Sequence, residues 1–513
     1  MRDVAADVRH EEALALRPFK FTLAASLMLW SAAALASDLR IGLQEDPDAL
    51  DPARSRSYVG RLVLASLCDK LIDTAPDLTV VPRLATSWTW SADNKVLTLK
   101  LRPGVTFQDG EPFDAAAVKY NLDRYRTLPE SVRKSEVASI DHVGALDPAT
   151  VVIALKQPDA AFLAQLTDRS GMMLAPQATE AGGSGGAPVC SGPYRLAERV
   201  VQDRIVLERF PQHWDAGAYH FDRVIFLPIP DTTVRLANLR SGGLDLIERM
   251  AATDVKTAAA DPKLQVLSVP GLGFTTLEIN LGGERAKTPM GQDARVRQAF
   301  DLAIDREALN QAVFEGRYLP GAQPFPPASF YHLDEPVPER DIAKSKALLE
   351  AAGVTAPVRV ELHMPNDPVT QQLGQVIQAM TAEAGFDVHL LALEAASMVQ
   401  RDQQGDFETT LHIWSGRVDP DGDIHQFVTC RGSFNEMKYC NPEVDGLLNG
   451  ARVILDPAER KAKYAAAMRI IDRDKPILYL FFEPHIFGAV QALHGFVLHP
   501  DGMIRLDHVT LGG

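Results

Sequence analysis

Outside one stretch near the N-terminus, no run of apolar residues in this 513-residue chain approaches the ~20 needed to span a bilayer. Cysteine is scarce, with only four in the chain, and no second close Cys or His pair has ligand spacing, so no zinc site is expected. Basic residues are outnumbered: 52 Lys+Arg against 67 Asp+Glu leave a formal net charge of -15. Neutralising phosphates requires a basic face, so a sequence-independent nucleic-acid binder is not expected. There is no P-loop, no strand-linked dinucleotide fingerprint, no H-E-x-x-H pair and no internal repeat. The remaining composition is ordinary for a globular protein, 46% hydrophobic and 23% charged, in a chain long enough for two or three domains.

The N-terminal exception reads as an export signal over residues 1–36. Arg17 and Lys20 precede a short apolar stretch from Phe21 to Ala33, and Ala34-Leu35-Ala36 fits a small-x-small cleavage site that leaves Ser37 as the mature start. No cysteine follows that site, so lipid anchoring is not expected. Export to an oxidising compartment makes the cysteines readable. Cys430 and Cys440, in the polar segment "CRGSFNEMKYC", are expected to form a disulfide contributing roughly 2–3 kcal/mol by loop-closure arithmetic. Cys68 reads as a buried helical cysteine and Cys190 as a turn residue; whether they pair is left open.

Elements alternate in type, which points to an α/β architecture. "KVLTLKL" alternates Leu97, Leu99 and Leu101 with polar residues as a half-buried strand does, and Asp114 is placed to cap the helix that follows. Val296, Ala299, Phe300, Ala303 and Ile304 form a helical stripe. Residues 358–393 read as a strand, a helix ending at Gly385 and a second strand, a βαβ unit. Asp456 and Pro457 mark another helix start. Residues 175–194 are Gly- and Pro-rich enough to end a domain, and the proline-rich segment 320–341 reads as a long irregular loop.

Two catalytic or metal patterns fail on context. Gly182 to Gly186 fit G-x-S-x-G around Ser184, but Pro176 and Pro188 flank a flexible run without the strand and helix that expose such a serine. Asp419, Asp421 and Asp423 resemble the first ligands of a calcium loop, yet its sixth position is Ile424 and its twelfth Cys430. No catalytic residue, metal or cofactor is indicated.

Several ordered segments carry a more specific message. They are "DPDALDPARSRSYVGRLVLASLCDKLI", "VVPRLATSWTWSADNKVLTLKLRPGVTFQDGEPFDAAAVKYNLDR", "SGPYRL", "IPDTTVRLANLRSGGLDLIE", "DARVRQAFDLAIDREALNQAVFEG" and a final W-x-G-x-x-D-P-D block. Together these resemble the peptide-binding family of extracytoplasmic solute-binding proteins that feed ABC importers, over nearly all of the mature chain. The resemblance implies a two-lobed periplasmic binding protein of type II, with hinge crossovers and an extra domain inserted near the N-terminus. The first lobe would comprise 38–73, 189–283 and 489–513, the inserted domain 74–188, and the second lobe 284–488. It also implies a periplasmic monomer that captures short peptides or a peptide-like solute and delivers it to a membrane permease. A non-peptide solute (an oligosaccharide, opine-like conjugate, glutathione or metal chelate) is the alternative within the fold. A secreted hydrolase is the alternative from another class.

In such peptide-binding proteins the segment after the tryptophan often carries an acidic residue that holds a peptide's α-amino group; the matching position here is Arg417. A desolvated guanidinium would favour an anionic ligand group instead. Arg417 could equally pair with Asp419 or Asp421, or face solvent. Trp414, Ser415, Gly416, Arg417 and Asp419 are therefore candidate ligand residues, with Asp421 favoured as a helix cap. Tyr58, Gly273, Phe274, Phe325 and Tyr331 are further candidates for the cleft.

Overall fold

The computed structural model describes residues 38–182 and 187–512. The expected signal segment at 1–36 and Ser184 lie outside the described residues. No helix among the described residues is long and apolar enough to cross a membrane.

An antiparallel four-stranded sheet forms from Ala85–Trp90, Val96–Leu101, Thr150–Leu155 and Ile140–Asp147, in that spatial order. Leu97, Leu99, Val151 and Ile153 share one core with Val118, Leu122 and Tyr125 of the helix Ala115–Thr127. That helix starts where its cap dictates: Asp114 accepts the amides of Ala116 and Ala117 at 2.9 and 3.0 Å.

The second system is an eleven-stranded sheet. Its spine is two long antiparallel strands, Leu264–Ile279 and Ile477–Val490, each well beyond the ~5–6 residues of an ordinary strand. Each belongs to two neighbourhoods. Residues 264–270 pair with 484–490, beside Leu246–Ile247, Asp38–Leu43 and Arg223–Pro228. Residues 274–279 pair with 477–482 and, on their other side, with Thr409–Trp414. Between the halves the register shifts after Pro270, which stands opposite Pro484. Neither proline has an N–H to give the ladder, so the spine is weakest at its middle.

The βαβ reading holds: Val358–Pro365 and Phe386–Leu393 pair in parallel around the helix Pro368–Ala382. The 296–304 stripe is fully buried but closes off one helix, Ala294–Leu302, before Asp305 caps the next, Arg306–Phe314.

All four cysteines are paired, Cys430 with Cys440 as expected and Cys68 with Cys190. Cys68 is the C-cap of Tyr58–Leu67, so the second bridge ties that helix to the turn at 190. Replacing Cys430 and Cys440 by serine is expected to lower the unfolding free energy by about 3 kcal/mol in denaturant titrations. An unchanged midpoint would mean that the native contacts around the loop already hold it closed.

Candidate functional site

The segment Trp414–Asp423 leaves the end of the strand Thr409–Trp414, and glycines allow its path. A Cβ on Gly273 would lie 2.1 Å from the Trp414 carbonyl oxygen, and Gly416, at φ +76, passes as closely over Leu272. Gly273 and Gly416 therefore serve backbone packing. The Trp414 indole Nε1 donates to Asp423 at 2.8 Å, and its ring packs edge-on against Phe427 and Phe434. Phe274, paired with Trp414 across the ladder, packs against Phe427 and Tyr479.

Arg417 is neither solvent-facing nor paired with Asp419 or Asp421. It is buried, its guanidinium lies over the Trp414 ring at 4.0 Å, and its Nε contacts Asp168 at 2.8 Å. Asp168 also receives Arg61 Nε at 2.9 Å and the Arg169 amide at 2.7 Å. Burial alone would push the Asp168 carboxyl up. The guanidiniums of Arg417, Arg61, Arg169 and Arg133 outweigh burial and hold it well below the usual carboxylate range. Burial likewise lowers Arg417, to about 10, with Asp168 opposing.

The remaining aspartates are taken too. Asp419 forms a two-point ion pair with Arg460 at 2.8 and 3.0 Å, and Asp421 does the same with Arg452 at 2.7 and 2.8 Å. Asp421 does not cap the helix Asp421–Val428: it is the first helical residue, the N-cap is Pro420 without a side-chain cap bond, and the Asp421 amide is accepted by Asp419 at 3.0 Å. Phe325 is fully buried against Tyr464, and the Tyr331 hydroxyl accepts from Arg460. The proline-rich loop is thus packed onto the helix Pro457–Asp474. Arg417 and Asp419 border only a small crevice of about 300 Å³ with Arg61 and Asp168.

The large cavity, about 1100 Å³ with its mouth, lies on the other side of Trp414. Of the expected residues, Tyr58, Trp414 and Ser415 line it; Gly273, Phe274, Gly416, Arg417, Asp419, Phe325 and Tyr331 do not. One wall comes from Gln44–Asp46, Arg56–Tyr58 and Arg249, the other from Glu278, Thr410–Ser415, Phe434 and Glu436. A neighbouring compartment of about 710 Å³ shares Gln44, Arg249 and Ile413 with it, so the two form one cleft.

Most charged groups on this wall are engaged. Arg56 pairs with Glu436 and sits over the Phe434 ring at 4.3 Å. Asp48 accepts the Arg56 amide and the Ser57 hydroxyl at 2.6 and 2.7 Å. Asp402 accepts from Thr410 at 3.0 Å, and Asp46 faces Arg199 at 3.4 Å. His412 Nδ1 lies 2.6 Å from Glu278. Two groups differ. The Glu45 side chain has no hydrogen bond or ion pair among the described residues. The Arg249 side chain makes no hydrogen bond among the described residues; its Nε lies 4.0 Å from Glu248, the Tyr58 ring lies 4.5 Å beneath it, and the charges of Glu483 and Glu248 favour its guanidinium against burial. Burial pushes the Glu45 carboxyl up to about 7, against the pull of Arg249 and with Glu248, Asp48 and Asp367 adding to the rise.

Glu45 and Arg249 were missed because nothing in "LQEDPD" or "DLIERM" stands out locally. A topological rule could have found them. They follow the carboxyl ends of two adjacent parallel strands, Asp38–Leu43 and Leu246–Ile247, where ligands bind in open α/β sheets.

Burial opposes the His412 imidazolium, but Glu278 beside it raises its pKa above 6.5. A histidine raised by folding adds stability that is complete below its unfolded pKa and is lost as pH rises through the folded value. The difference in unfolding free energy between wild type and His412→Gln is expected to be largest below the ordinary histidine pKa of about 6.5 and to shrink as pH rises above it. A difference that does not change with pH would contradict a charged His412–Glu278 pair.

This geometry, a large cleft beside a spine shared by two half-sheets, is that of a two-lobed binding protein of type II. Residues 79–435 match the model of bacterial extracellular solute-binding proteins, family 5 (middle region), and the chain belongs to that family. Among relatives, it is 29% identical over 490 residues to the glutathione-binding protein GsiB of Pectobacterium atrosepticum, covering 93% of this chain and 94% of that protein. The GsiB of Escherichia coli K12 is 28% identical over 501 residues, covering 95% and 97%. Among solved structures, the periplasmic binding protein AgaA of A. tumefacien R10 in complex with agropinic acid superposes with a TM-score of 0.85 at 25% identity, covering 93% and 99%. The E. coli murein tripeptide binding protein MppA gives 0.86 at 23% identity, with the same coverage, and shares the fold.

Proposed function

We propose that this protein is the periplasmic solute-binding component of an ABC importer. It captures a short peptide or peptide-like solute with an anionic group and hands it to a membrane permease. It is exported through the 1–36 signal segment and works as a monomer. The observation that carries the reading is the cleft of about 1100 Å³, walled by the segments after Leu43 and Ile247 on one side and by Thr410–Ser415 on the other. On this reading the first lobe comprises 38–73, 189–283 and 489–513 and the second 284–488, with 74–188 inserted. The hinge falls at Pro270–Gly273 and Pro484, where the ladder of the spine is interrupted. Closure about that hinge buries the ligand and forms the surface that the permease reads.

A dedicated solute, such as glutathione or an opine-like conjugate, is the second reading. It is favoured by Arg417, which stands where peptide carriers often place the amine-holding acid and is tied to Asp168.

The test is native mass spectrometry of the mature protein released gently from its own periplasm, compared before and after stripping. A spread of adducts at amino-acid increments supports a sequence-tolerant peptide carrier, and one adduct of fixed mass supports a dedicated solute. Protein that carries no adduct and takes up none from periplasmic extract would overturn the proposal.

A further inference from the structure

We infer that Glu45 and Arg249 form a paired anchor, absent from the Trp414 segment, that holds a ligand's free ammonium group and free carboxylate from the first-lobe wall. This assignment rests on the peptide-like reading above.

Arg56, Glu436, His412, Glu278 and Asp48 satisfy one another or the backbone around them. Glu45 makes no hydrogen bond or ion pair among the described residues, and Arg249 keeps its two Nη groups without a hydrogen bond. Both are half-buried on the cleft wall, so both remain open to a ligand group of opposite charge.

Glu248 is fully buried, accepts the Gln44 amide at 2.6 Å and faces Arg249 Nε at 4.0 Å, while Tyr58 supports the face of the guanidinium. The outer fork of Arg249 is thereby aimed at the cleft, in the geometry that grips a carboxylate at two points. Arg249 adopts φ +45, a left-handed conformation rare for a residue with a side chain and typical of functional sites. It borders both compartments, so its fork is reachable from either.

The Trp414 segment offers no acid to the cleft: Arg417 is committed to Asp168, and none of Asp419, Asp421 and Asp423 lines the cavity. Glu45 supplies one from the opposite wall. Both anchors lie on the first lobe, so the ligand docks there first and the wall carrying His412 and Trp414 closes over it. Glu45 is flanked by Arg249, Glu248, Asp48 and Asp367, and burial leaves it half-protonated near neutral pH. Binding an ammonium then releases its proton, and affinity rises from about pH 6 to about pH 8.

The test uses the full mature protein and three probes: a mixed library of free tripeptides, the same library N-acetylated, and the same library C-amidated. Affinities are read by native mass spectrometry and titration calorimetry. In wild type, blocking either end is expected to weaken binding at least ~30-fold. Glu45→Gln is expected to bind free and acetylated peptides alike, to keep rejecting amides, and to lose the rise in affinity with pH. Arg249→Gln is expected to do the reverse with respect to the two blocked ends. Wild-type binding that ignores both blocks overturns the anchor, as do variants that weaken all three libraries equally. If none of the three libraries binds while a non-peptide solute does, the peptide-like reading fails and takes the anchor with it.

Discussion

Replacing Asp168 by alanine is expected to destabilise the protein by about 3–5 kcal/mol, because it leaves buried charges of one sign without their partner. Around Asp168 stand Arg61, Arg169, Arg417 and Arg133, all buried, with Glu136 paired to Arg133 and Asp501 near Arg61. Removing the carboxylate leaves three guanidiniums facing one another in a medium that screens them poorly. The neighbouring Asp423 supplies the control. It too is buried and accepts hydrogen bonds, from Trp414 Nε1 and the Arg417 amide, but burial pushes its carboxyl well above the usual range. Asp423→Asn keeps an oxygen that can accept both of these hydrogen bonds and is expected to cost far less than Asp168→Asn. Urea unfolding of the two variants side by side decides the matter; equal losses would contradict the ionic account. Because Asp168 is depressed, its contribution holds above the unfolded carboxylate pKa of about 4 and is lost as pH falls through the lower folded value.

Trp414→Ala is expected to cost a similar ~3–5 kcal/mol and also to abolish solute retention. The indole fills a core with Phe427 and Phe434, supports the Arg417 guanidinium, donates to Asp423 and forms part of the cavity wall. Trp414→Phe separates these roles. It keeps most of the apolar packing but withdraws the N–H, leaving Asp423 with one donor fewer and a cost of about 1–3 kcal/mol. If Trp414→Ala retains ligand at wild-type affinity in the folded fraction, Trp414 is structural only and the cavity wall has been misjudged.

The elements with strong local patterns were legible in the sequence. The 358–393 βαβ unit, the strand at Val96–Leu101 and the Asp114 cap depend on periodicity and capping within a few residues. The Cys430–Cys440 bridge closes a short polar loop and could be read the same way, whereas Cys68 and Cys190 meet across a long stretch of chain. The site was less legible because its partners are remote. Arg417 had two aspartates close by in sequence, yet Arg460 and Arg452 hold those, and its own partner Asp168 arrives from the segment near the four-stranded sheet. Asp421 does not cap its helix because the helix begins at Asp421 itself, with Pro420 at the cap position and Asp419 accepting the first amide. Glu45 and Arg249 are side by side only because their strands pair in parallel, and pairing is not written in either segment alone.

Hydrogen exchange of stripped protein against protein reloaded with its own periplasmic ligand tests capture between the lobes most directly. Capture there predicts slowed exchange on both walls, at residues 44–58 and 246–250 and at residues 410–415, together with the interrupted middle of the spine around Pro270 and Pro484. Protection confined to one wall, or to a surface away from these segments, would contradict it.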